Sequence, residues 1–352
     1  MRQPRLRQSL LPAPERRTQA NMIMILRCVF LVAILLFSCG AELTAQSTAV
    51  QPFPVRLALQ WLPQSQFAGA YMARERGFYR EEGLEVTLIH TGPGPSSLDF
   101  LAAGKADFAT MFLADAIVTT GKPLQLISVA QLFQRSNLLL LAWRDAGIEK
   151  PADLDGRPVS YWQSAFSVAF DVFFEQHGIH PQVLPQHYSV NLFLHRGVVA
   201  CSAMLYNEYH RIYQAGIDYE QLTVFRMSDY GLDFPEDGIY TTAAMAARHP
   251  EICRALRRAT LAGWDYARRH PEEVIDIVLR ESRNGNVPAN RPHTRWTLQQ
   301  VLESIFPPET GRRPGRLERK AYEQTLQTLI ATRRVAAGPS YEDFAPFEKD
   351  QP

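Results

Sequence analysis

The sequence predicts an α/β protein with two similar lobes, a ligand cleft between them and a helical C-terminal tail. Short strands alternate with helices over residues 55–145, and the same alternation is repeated over residues 146–236. Such alternation is typical of parallel-rich sheets with helices on both faces. From residue 237 the sequence becomes mainly helical. We therefore assign residues 55–145 and 237–340 to lobe one, and residues 146–236 to lobe two.

Hydrophobic periodicity and turn residues define the elements of each lobe. In lobe one the order is strand "VRLALQW", helix "QFAGAYMARERG", strand "LEVTLI", helix "SSLDFLAAG", strand "ADFATMF", helix "ADAIVTTG", strand "LQLISVA" and a closing strand "LLLLAW". In lobe two it is strand Val159–Tyr161, helix Val168–His177, strand "LPQHY", helix "VNLFLHRG", strand "VVACSAMLY", helix "NEYHRIYQAG" and strand "LTVFRM". The tail contains three longer helices, which we expect to return to lobe one and brace it.

Two stretches of the sequence resemble each other. "FLAAGKADFATMFLADAI" begins at Phe100, and "FLHRGVVACSAMLYNEYH" begins at Phe193. In each, a helix ends at a glycine, a strand follows, and an acid stands just past the strand: Asp115 in the first and Glu208 in the second. Ligands bind beyond the carboxyl ends of strands in open parallel sheets. We therefore expect the two acids to lie at equivalent rims of two facing lobes.

The N-terminal residues 1–45 are typical of an export leader. Several arginines precede an apolar run, Cys28–Phe37, which is shorter than the roughly 20 residues that span a bilayer. The string "LFSC" resembles a bacterial lipobox and would make Cys39 the lipidated N-terminus, whereas cleavage after Ala45 would release a free protein. We expect an exported protein, either periplasmic or lipid-anchored, with residues 46–54 as a linker. Translation could also start at Met22 or Met24.

Composition and motifs exclude several classes of function. The 352 residues are 46% hydrophobic, which suffices for two cores, and carry a net charge of +1 without a basic block, so nucleic acid is not an expected partner. No spacing of Cys and His predicts a metal site, and we expect Cys201 to be a buried free thiol. Nucleophile elbows, Walker loops and dinucleotide fingerprints are missing, so we expect neither catalytic residues nor cofactors.

Four stretches that follow predicted strand ends supply aromatic, amide and carboxyl side chains. Aromatic faces can stack on a flat heterocycle, and a carboxylate or an Asn can accept a hydrogen bond from an exocyclic amine. For any single aromatic side chain, core packing is the alternative. The candidate ligand-binding residues are Trp61, Gln66, Phe67, Tyr71, Gly92, Asp115, Tyr161, Trp162, Asn207 and Glu208.

The strings "LQWLPQSQFAGAYMARERGFYREEGLEVTLI", "AAGKADFATM", "PADLDGRPVSY" and "YNEY" resemble a known family. It comprises the binding proteins of ABC importers for thiamine pyrimidine precursors (formylaminopyrimidine or hydroxymethylpyrimidine), together with related pyrimidine synthases. The resemblance implies a type 2 periplasmic binding protein fold that closes on its ligand, and an ABC permease in the inner membrane as partner. Carried over position by position, it implies as pocket residues Trp61, Phe67, Tyr71, Tyr161, Asn207 and Glu208.

We therefore expect a solute-binding protein for a small aromatic nitrogen heterocycle, in the first place a thiamine pyrimidine precursor, with riboflavin as another conceivable ligand. The synthase alternative is disfavoured because that branch uses a Cys-rich iron motif, and the sequence has no cluster among its four Cys. An extracellular ligand sensor that works with a separate membrane protein is the third alternative. Sulfonates are disfavoured because the rims carry carboxylates.

Overall fold

A computed structural model describes residues 51–121, 124–163, 166–308 and 313–350 of the chain. The predicted export leader, Cys39 and residues 46–50 of the linker lie outside the described residues. Within the described part of the chain, no helix combines the length and the apolar character needed to cross a membrane.

The first sheet contains five strands in the order β2-β1-β3-β10-β4. These strands are β1 (Phe53–Leu59), β2 (Leu84–His90), β3 (Phe108–Met111), β4 (Leu126–Gln131) and β10 (Gly238–Thr242). Strand β1 pairs in parallel with β2 and β3, whereas β10 runs antiparallel between β3 and β4. This sheet is the centre of the first lobe.

The second sheet repeats this arrangement, with the strand order β7-β6-β8-β5-β9. Its strands are β5 (Leu138–Trp143), β6 (Pro158–Trp162), β7 (Gln182–Gln186), β8 (Ala200–Met204) and β9 (Leu222–Arg226). Strand β6 is parallel to β7 and β8, and β5 runs antiparallel between β8 and β9. Each lobe therefore has one antiparallel strand at the same position of an otherwise parallel sheet, and the α/β class expected from the sequence is confirmed.

The position of β5 differs from the expectation that "LLLLAW" closes lobe one. The strand is paired with β8 and β9 of the second sheet, so residues 138–143 belong to the second lobe. Strand β5 is the first strand after the chain crosses between the lobes, as β10 is the first after it returns. All six residues of β5 are buried, and a continuous apolar strand carries no local sign of the sheet it will join.

Thirteen α-helices cover the sheets in the described part of the chain. They are α1 (Ala68–Glu75), α2 (Phe78–Glu81), α3 (Ser97–Ala102), α4 (Leu113–Thr119), α5 (Val168–Gln176), α6 (Asn191–Leu194), α7 (Glu208–Gln214), α8 (Ala243–Arg248), α9 (Pro250–Arg269), α10 (Pro271–Asn284), α11 (Arg291–Ile305), α12 (Arg319–Ala331) and α13 (Tyr341–Phe344). Helix α1 is followed by Gly77 with a φ of 79°, a left-handed conformation that glycine adopts without strain. Cys201 and Cys253 are buried free thiols, as expected for Cys201.

Helix α9 packs along α1 and thereby attaches the C-terminal tail to the first lobe. The two helices approach closely at Gly69 and Gly263. A Cβ atom on Gly263 would lie 2.0 Å from the backbone oxygen of Gly69, and a Cβ on Gly69 would lie 2.4 Å from the ring of Trp264. The glycine of the "QFAGAY" string therefore serves helix packing.

The substitution Gly263→Ala tests this contact. Helix propensity alone would stabilise α9 by about 1 kcal/mol, but the methyl group overpacks the crossing, so we expect a net loss of about 1–3 kcal/mol in the free energy of unfolding. Urea unfolding measures the difference. The exposed neighbour Ala262 provides the control, since Ala262→Ser should change stability by no more than about 0.5 kcal/mol. A more stable Gly263→Ala variant would contradict the close approach.

Two chain segments, residues 132–137 and 231–237, connect the lobes, and a buried glutamate joins them. The carboxylate of Glu236 accepts hydrogen bonds from the backbone nitrogen of Asn137 at 2.7 Å, from Asn137 Nδ2 at 3.0 Å and from Ser136 Oγ at 2.9 Å. Burial raises the pKa of Glu236 to about 7 although these hydrogen bonds lower it. The two connections are thus bound to each other at the boundary between the lobes.

The raised pKa of Glu236 makes stability depend on pH. Between pH values of about 4.5 and 7 the folded chain holds a proton that the unfolded chain releases, so the stabilisation from this group is lost as the pH rises through that range. When the pH rises from 5 to 8, we expect the unfolding free energy of the wild type to fall by about 2 kcal/mol more than that of Glu236→Gln. Urea unfolding of both proteins at the two pH values measures it. Equal losses would show that Glu236 does not titrate in this range.

Candidate functional site

Two adjoining cavities lie between the lobes. The larger, which we call the cleft cavity, has a volume of about 590 Å³, and the smaller, the deep cavity, about 30 Å³. Residues of both lobes line each of them. The residues shared by the two cavities are Gln60, Trp61, Trp162 and Phe166. The carboxyl ends of strands from both sheets thus meet at one cleft, as expected for open α/β sheets.

Aromatic rings form the wall that the cavities share. Phe166 of the second lobe contacts two rings of the first lobe edge to face, Trp61 at 5.8 Å and Phe112 at 5.1 Å between ring centroids. The ring centroid of Trp162 lies 6.2 Å from that of Phe166. Such a group of rings offers flat apolar faces for a planar ligand and buries apolar surface between the lobes.

The two acids of the internal repeat occupy equivalent positions. Asp115 lies in the first turn of α4, just after β3, and Glu208 is the first residue of α7, just after β8. Strands β3 and β8 are the central strands of their sheets. Asp115 lines the cleft cavity and Glu208 lines the deep cavity, so the repeat brings one acid from each lobe to the boundary between them.

The surroundings of the two carboxyl groups differ. Asp115 is 9% exposed, and its carboxylate accepts no hydrogen bond and forms no ion pair with any described residue. Burial therefore raises its pKa well above the ordinary value. Glu208 accepts hydrogen bonds from the backbone nitrogen of Met204 at 2.9 Å and from Asn207 Nδ2 at 2.7 Å. Burial raises the pKa of Glu208 as well, and these contacts hold its carboxylate in place.

A group of glutamines anchored on one aspartate forms the polar wall. Asp237 is 1% exposed and accepts hydrogen bonds from Gln60 Nε2 at 2.6 Å and Gln66 Nε2 at 2.7 Å. Gln60 lines both cavities, and its Oε1 atom has no hydrogen-bond partner among the described residues. Because Nε2 is held by the carboxylate, Oε1 is left as a buried acceptor without a partner, on a residue that lines both cavities.

Sequence reasoning missed both Gln60 and Asp237. Gln60 precedes Trp61 at a strand end. The rule that ligands bind past strand ends, which selected Trp61, could therefore also have selected Gln60. Asp237 lies 177 residues away on the second connection between the lobes and acts on the cavity wall only through Gln60 and Gln66, a contact for which the sequence holds no signal.

Seven of the ten candidate residues line at least one of the two cavities. They are Trp61, Gln66, Gly92, Asp115, Trp162, Asn207 and Glu208. Gly92 has a φ of 123°, a conformation that side chains other than glycine rarely adopt. The segment from Gly92 to Asp99 forms the rim of the cleft cavity on the first lobe.

The other three candidates, Phe67, Tyr71 and Tyr161, line neither cavity. Tyr71 is fully buried with its hydroxyl 3.0 Å from Nε2 of His90, and the ring of Phe67 packs against the same histidine. The hydroxyl of Tyr161 donates to Asp171 at 2.8 Å. Tyr161 and Trp162 are neighbours on β6 and point to opposite faces of the sheet, so only one of them can face the cleft. These three residues support the lobes from within.

The lining of the cavities is acidic. None of the described residues in it is Lys or Arg, whereas Asp99, Asp115 and Glu208 contribute carboxyl groups. An anionic ligand would lose its hydration without gaining a cationic partner. The site therefore suits a neutral or cationic ligand that donates hydrogen bonds.

The fold is that of the two-lobed type 2 periplasmic binding proteins. The chain resembles the ligand-binding component of an ABC-type import system from Staphylococcus aureus (TM-score 0.62, 12% identity, covering 85% of this chain and 98% of that one). It is similarly close to the periplasmic aliphatic sulphonate-binding protein SsuA from Escherichia coli (TM-score 0.59, 14% identity, 85% and 100%).

The chain belongs to the NMT1/THI5-like family, which matches residues 64–274. It is 23% identical to the formylaminopyrimidine-binding protein of Halalkalibacterium halodurans, over 86% of this chain and 92% of that protein. It is 22% identical to the riboflavin-binding protein RibY of Chloroflexus aurantiacus (80% and 84%). A third relative, at 20% identity (70% and 77%), is the 4-amino-5-hydroxymethyl-2-methylpyrimidine phosphate synthase of Legionella pneumophila. The resemblance expected from the sequence motifs is confirmed.

Asp115 offers a test of the site that needs no ligand. Because its folded pKa is raised, its stabilising contribution is lost as the pH rises, and Asn, which does not ionise, removes that dependence. We expect Asp115→Asn to be more stable than the wild type by about 1 kcal/mol at pH 8 and by less at pH 5. Chemical unfolding at both pH values measures the differences.

Asp99, an acid of the same cavity whose carboxylate is satisfied, is the matched control. It accepts hydrogen bonds from the backbone nitrogen of Ser96 at 2.7 Å and from Ser96 Oγ at 2.8 Å at the start of α3. Asp99→Asn should lose about 0.5–1 kcal/mol of stability because the capping box is weakened. A loss of similar size in Asp115→Asn would mean that its carboxylate is stabilised by contacts after all.

Proposed function

We propose that this protein is an exported solute-binding protein of an ABC importer that binds a small aromatic nitrogen heterocycle, a thiamine pyrimidine precursor, by closure of its two lobes. An ABC permease of the inner membrane is its partner, and the protein is periplasmic or anchored through Cys39. The observation that carries this proposal is the unpartnered acceptor Gln60 Oε1 beside an aromatic wall and the unpaired carboxyl of Asp115.

An aminopyrimidine fits this combination of groups. Its ring can stack against Trp61 or Trp162, and its exocyclic amine carries two N–H donors for acceptors such as Gln60 Oε1. The carboxyl of Asp115 is suited to the neighbouring edge, because in its protonated form it donates to a ring nitrogen while its carbonyl oxygen accepts from the amine. The raised pKa of Asp115 favours this form.

The relatives support this class of ligand. One is named for a formylaminopyrimidine and another for riboflavin, both flat nitrogen heterocycles. The structural neighbour that binds sulphonates shares only the fold, and the acidic lining argues against an anionic ligand here. The volume of about 590 Å³ also accommodates rings larger than a pyrimidine, so riboflavin is the second candidate ligand.

Closure follows from the placement of the walls on different lobes. Gln60, Trp61 and Asp115 belong to the first lobe, and Trp162 and Phe166 to the second. A ligand that contacts both sets gains more contacts in the closed form than in an open one, and it therefore shifts the equilibrium toward closure. A permease that binds the closed form would then recognise the loaded protein.

A synthase function has weaker support. One relative is named as a pyrimidine phosphate synthase. The Cys-rich iron motif that the resemblance implies for that branch has no counterpart among the four Cys of this chain. A binding protein therefore accounts better for the residues that line the cleft.

Ligand binding is tested with the chain from Gln46 onward by thermal shift and calorimetry. The probes are formylaminopyrimidine, 4-amino-5-hydroxymethyl-2-methylpyrimidine, riboflavin and an alkyl sulfonate. We expect an aminopyrimidine to raise the melting temperature, since ligand at 100 times its dissociation constant adds about 2.7 kcal/mol of stability. Gln60→Met should weaken that binding by about tenfold or more through the lost acceptor.

The other possible results of the binding test lead to different conclusions about the ligand. A shift with riboflavin alone would keep the cleft and replace the ligand. A shift with the sulfonate alone would contradict the argument from the acidic lining. If none of the four probes binds, the proposed function is overturned.

A further inference from the structure

Helix α11 connects the C-terminal tail to the second lobe next to the deep cavity. On the side of the first lobe, Ser65 Oγ donates to the backbone oxygen of Thr294 at 2.9 Å. On the side of the second lobe, Trp296 Nε1 donates to the backbone oxygen of Leu205 at 3.0 Å, and Thr297 Oγ1 donates to that of Tyr206 at 2.8 Å. The helix thus links the lobes in addition to the two chain connections, and it reaches the turn that precedes Glu208.

A chain of polar contacts runs from α11 to the cavity wall. His293 lies on α11, and its Nε2 is 3.0 Å from Oδ1 of Asn207. Asn207 Nδ2 donates to Glu208 Oε1 at 2.7 Å. At the other end, Nδ1 of His293 is 3.0 Å from Nδ1 of His210 on α7. His293 is 7% exposed and lines neither cavity, whereas Asn207 and Glu208 line the deep one.

The carboxylate of Glu208 determines where the protons lie along this series of hydrogen bonds. Because Asn207 donates its amide hydrogen to Glu208, its Oδ1 atom is an acceptor, and Nε2 of His293 must donate to it. Nδ1 of His293 then accepts from Nδ1 of His210. Arg211 Nε, 2.9 Å from Asn207 Oδ1, donates to the same oxygen. The opposite tautomer of His293 would let Nε2 accept from Arg211 Nε at 3.4 Å, but it would set the lone pairs of Nε2 and of Asn207 Oδ1 against each other at the shorter distance of 3.0 Å.

The surroundings of His293 keep its ring neutral. Burial, together with the positive charge of the neighbouring Arg211 and the presence of His210, lowers the pKa of His293 to about 3. A neutral ring has one donor and one acceptor, and it can therefore donate to Asn207 and accept from His210. The ring of His210 is held in turn by Trp296, stacked on it at 4.9 Å between centroids.

We propose that His293 is a positioning residue for the ligand site: the relay from His210 through His293 and Asn207 fixes the carboxylate of Glu208 in the cavity wall. The orientation of a second-lobe acid thereby depends on the docking of a helix from the tail. The effect on ligand affinity rests on the proposed function, but the relay itself is a property of the unliganded protein.

The relay is tested first without ligand, by two-bond ¹H–¹⁵N correlation spectra of the histidine rings at pH 7. The expected result is that His293 carries its proton on Nε2 and His210 on Nδ1. In Asn207→Leu, His293 should lose this fixed tautomer. A protonated His293, or one with its proton on Nδ1, in the wild type would overturn the proposal.

The second test is a double-mutant cycle with an aminopyrimidine as probe. His293→Leu should lower affinity by about tenfold, the value of one hydrogen bond, and His293→Gln, which keeps a donor near the position of Nε2, should restore most of it. In a Glu208→Ala background the effect of His293→Leu should disappear, because no side chain is left at position 208 for the relay to position. His180→Leu, at an exposed position of the second lobe, is the control without effect.

The outcomes separate the two proposals. Equal losses from His293→Leu in both backgrounds would show a structural role and overturn the relay. A wild type that binds no aminopyrimidine would overturn the proposed function, while the tautomer spectra would still decide on the relay.

Discussion

The arrangement of the two lobes depends on two adjacent buried acids in the returning connection. The carboxylate of Glu236 accepts hydrogen bonds from Ser136 and Asn137 of the other connection. The carboxylate of Asp237 accepts hydrogen bonds from the side-chain amides of Gln60 and Gln66. Both carboxyl groups are desolvated, so their hydrogen bonds offset a large cost of burial and leave few alternative arrangements. The link between the lobes and the polar wall of the cleft are therefore specified by the same two residues.

The internal repeat shows how one structural unit can support two roles. After β3 and β8 the chain places an acid at the same point of each lobe, but only one of the two acids is satisfied. Glu208 is held by Met204 and Asn207, whereas Asp115 has no partner among the described residues. A buried group without a partner costs stability, and such costs are concentrated at functional sites. The difference between the two copies therefore supports a ligand-directed role for Asp115.

The C-terminal helices do more than complete the first lobe. Helix α9 fixes α1 through the close approach of Gly69 and Gly263, which accounts for part of a motif that the sequence resemblance had linked to the ligand. Helix α11 reaches across to the second lobe through Trp296 and His293. The tail thus stabilises the segment before the cavity on one lobe and positions a side chain of the other.

The sequence by itself determined the features that depend on short-range patterns. Alternating periodicity specified the two α/β units, and the rule that ligands bind past strand ends located Trp61, Asp115, Trp162 and Glu208, which all line the cavities. Only the tertiary structure decided which sheet β5 joins and which side chains line the cleft, because both depend on contacts between distant segments. The all-apolar strand β5 could join either sheet, Tyr161 lost its place in the cleft to its neighbour on the strand, and Gln60 gained its orientation from Asp237, which is 177 residues away.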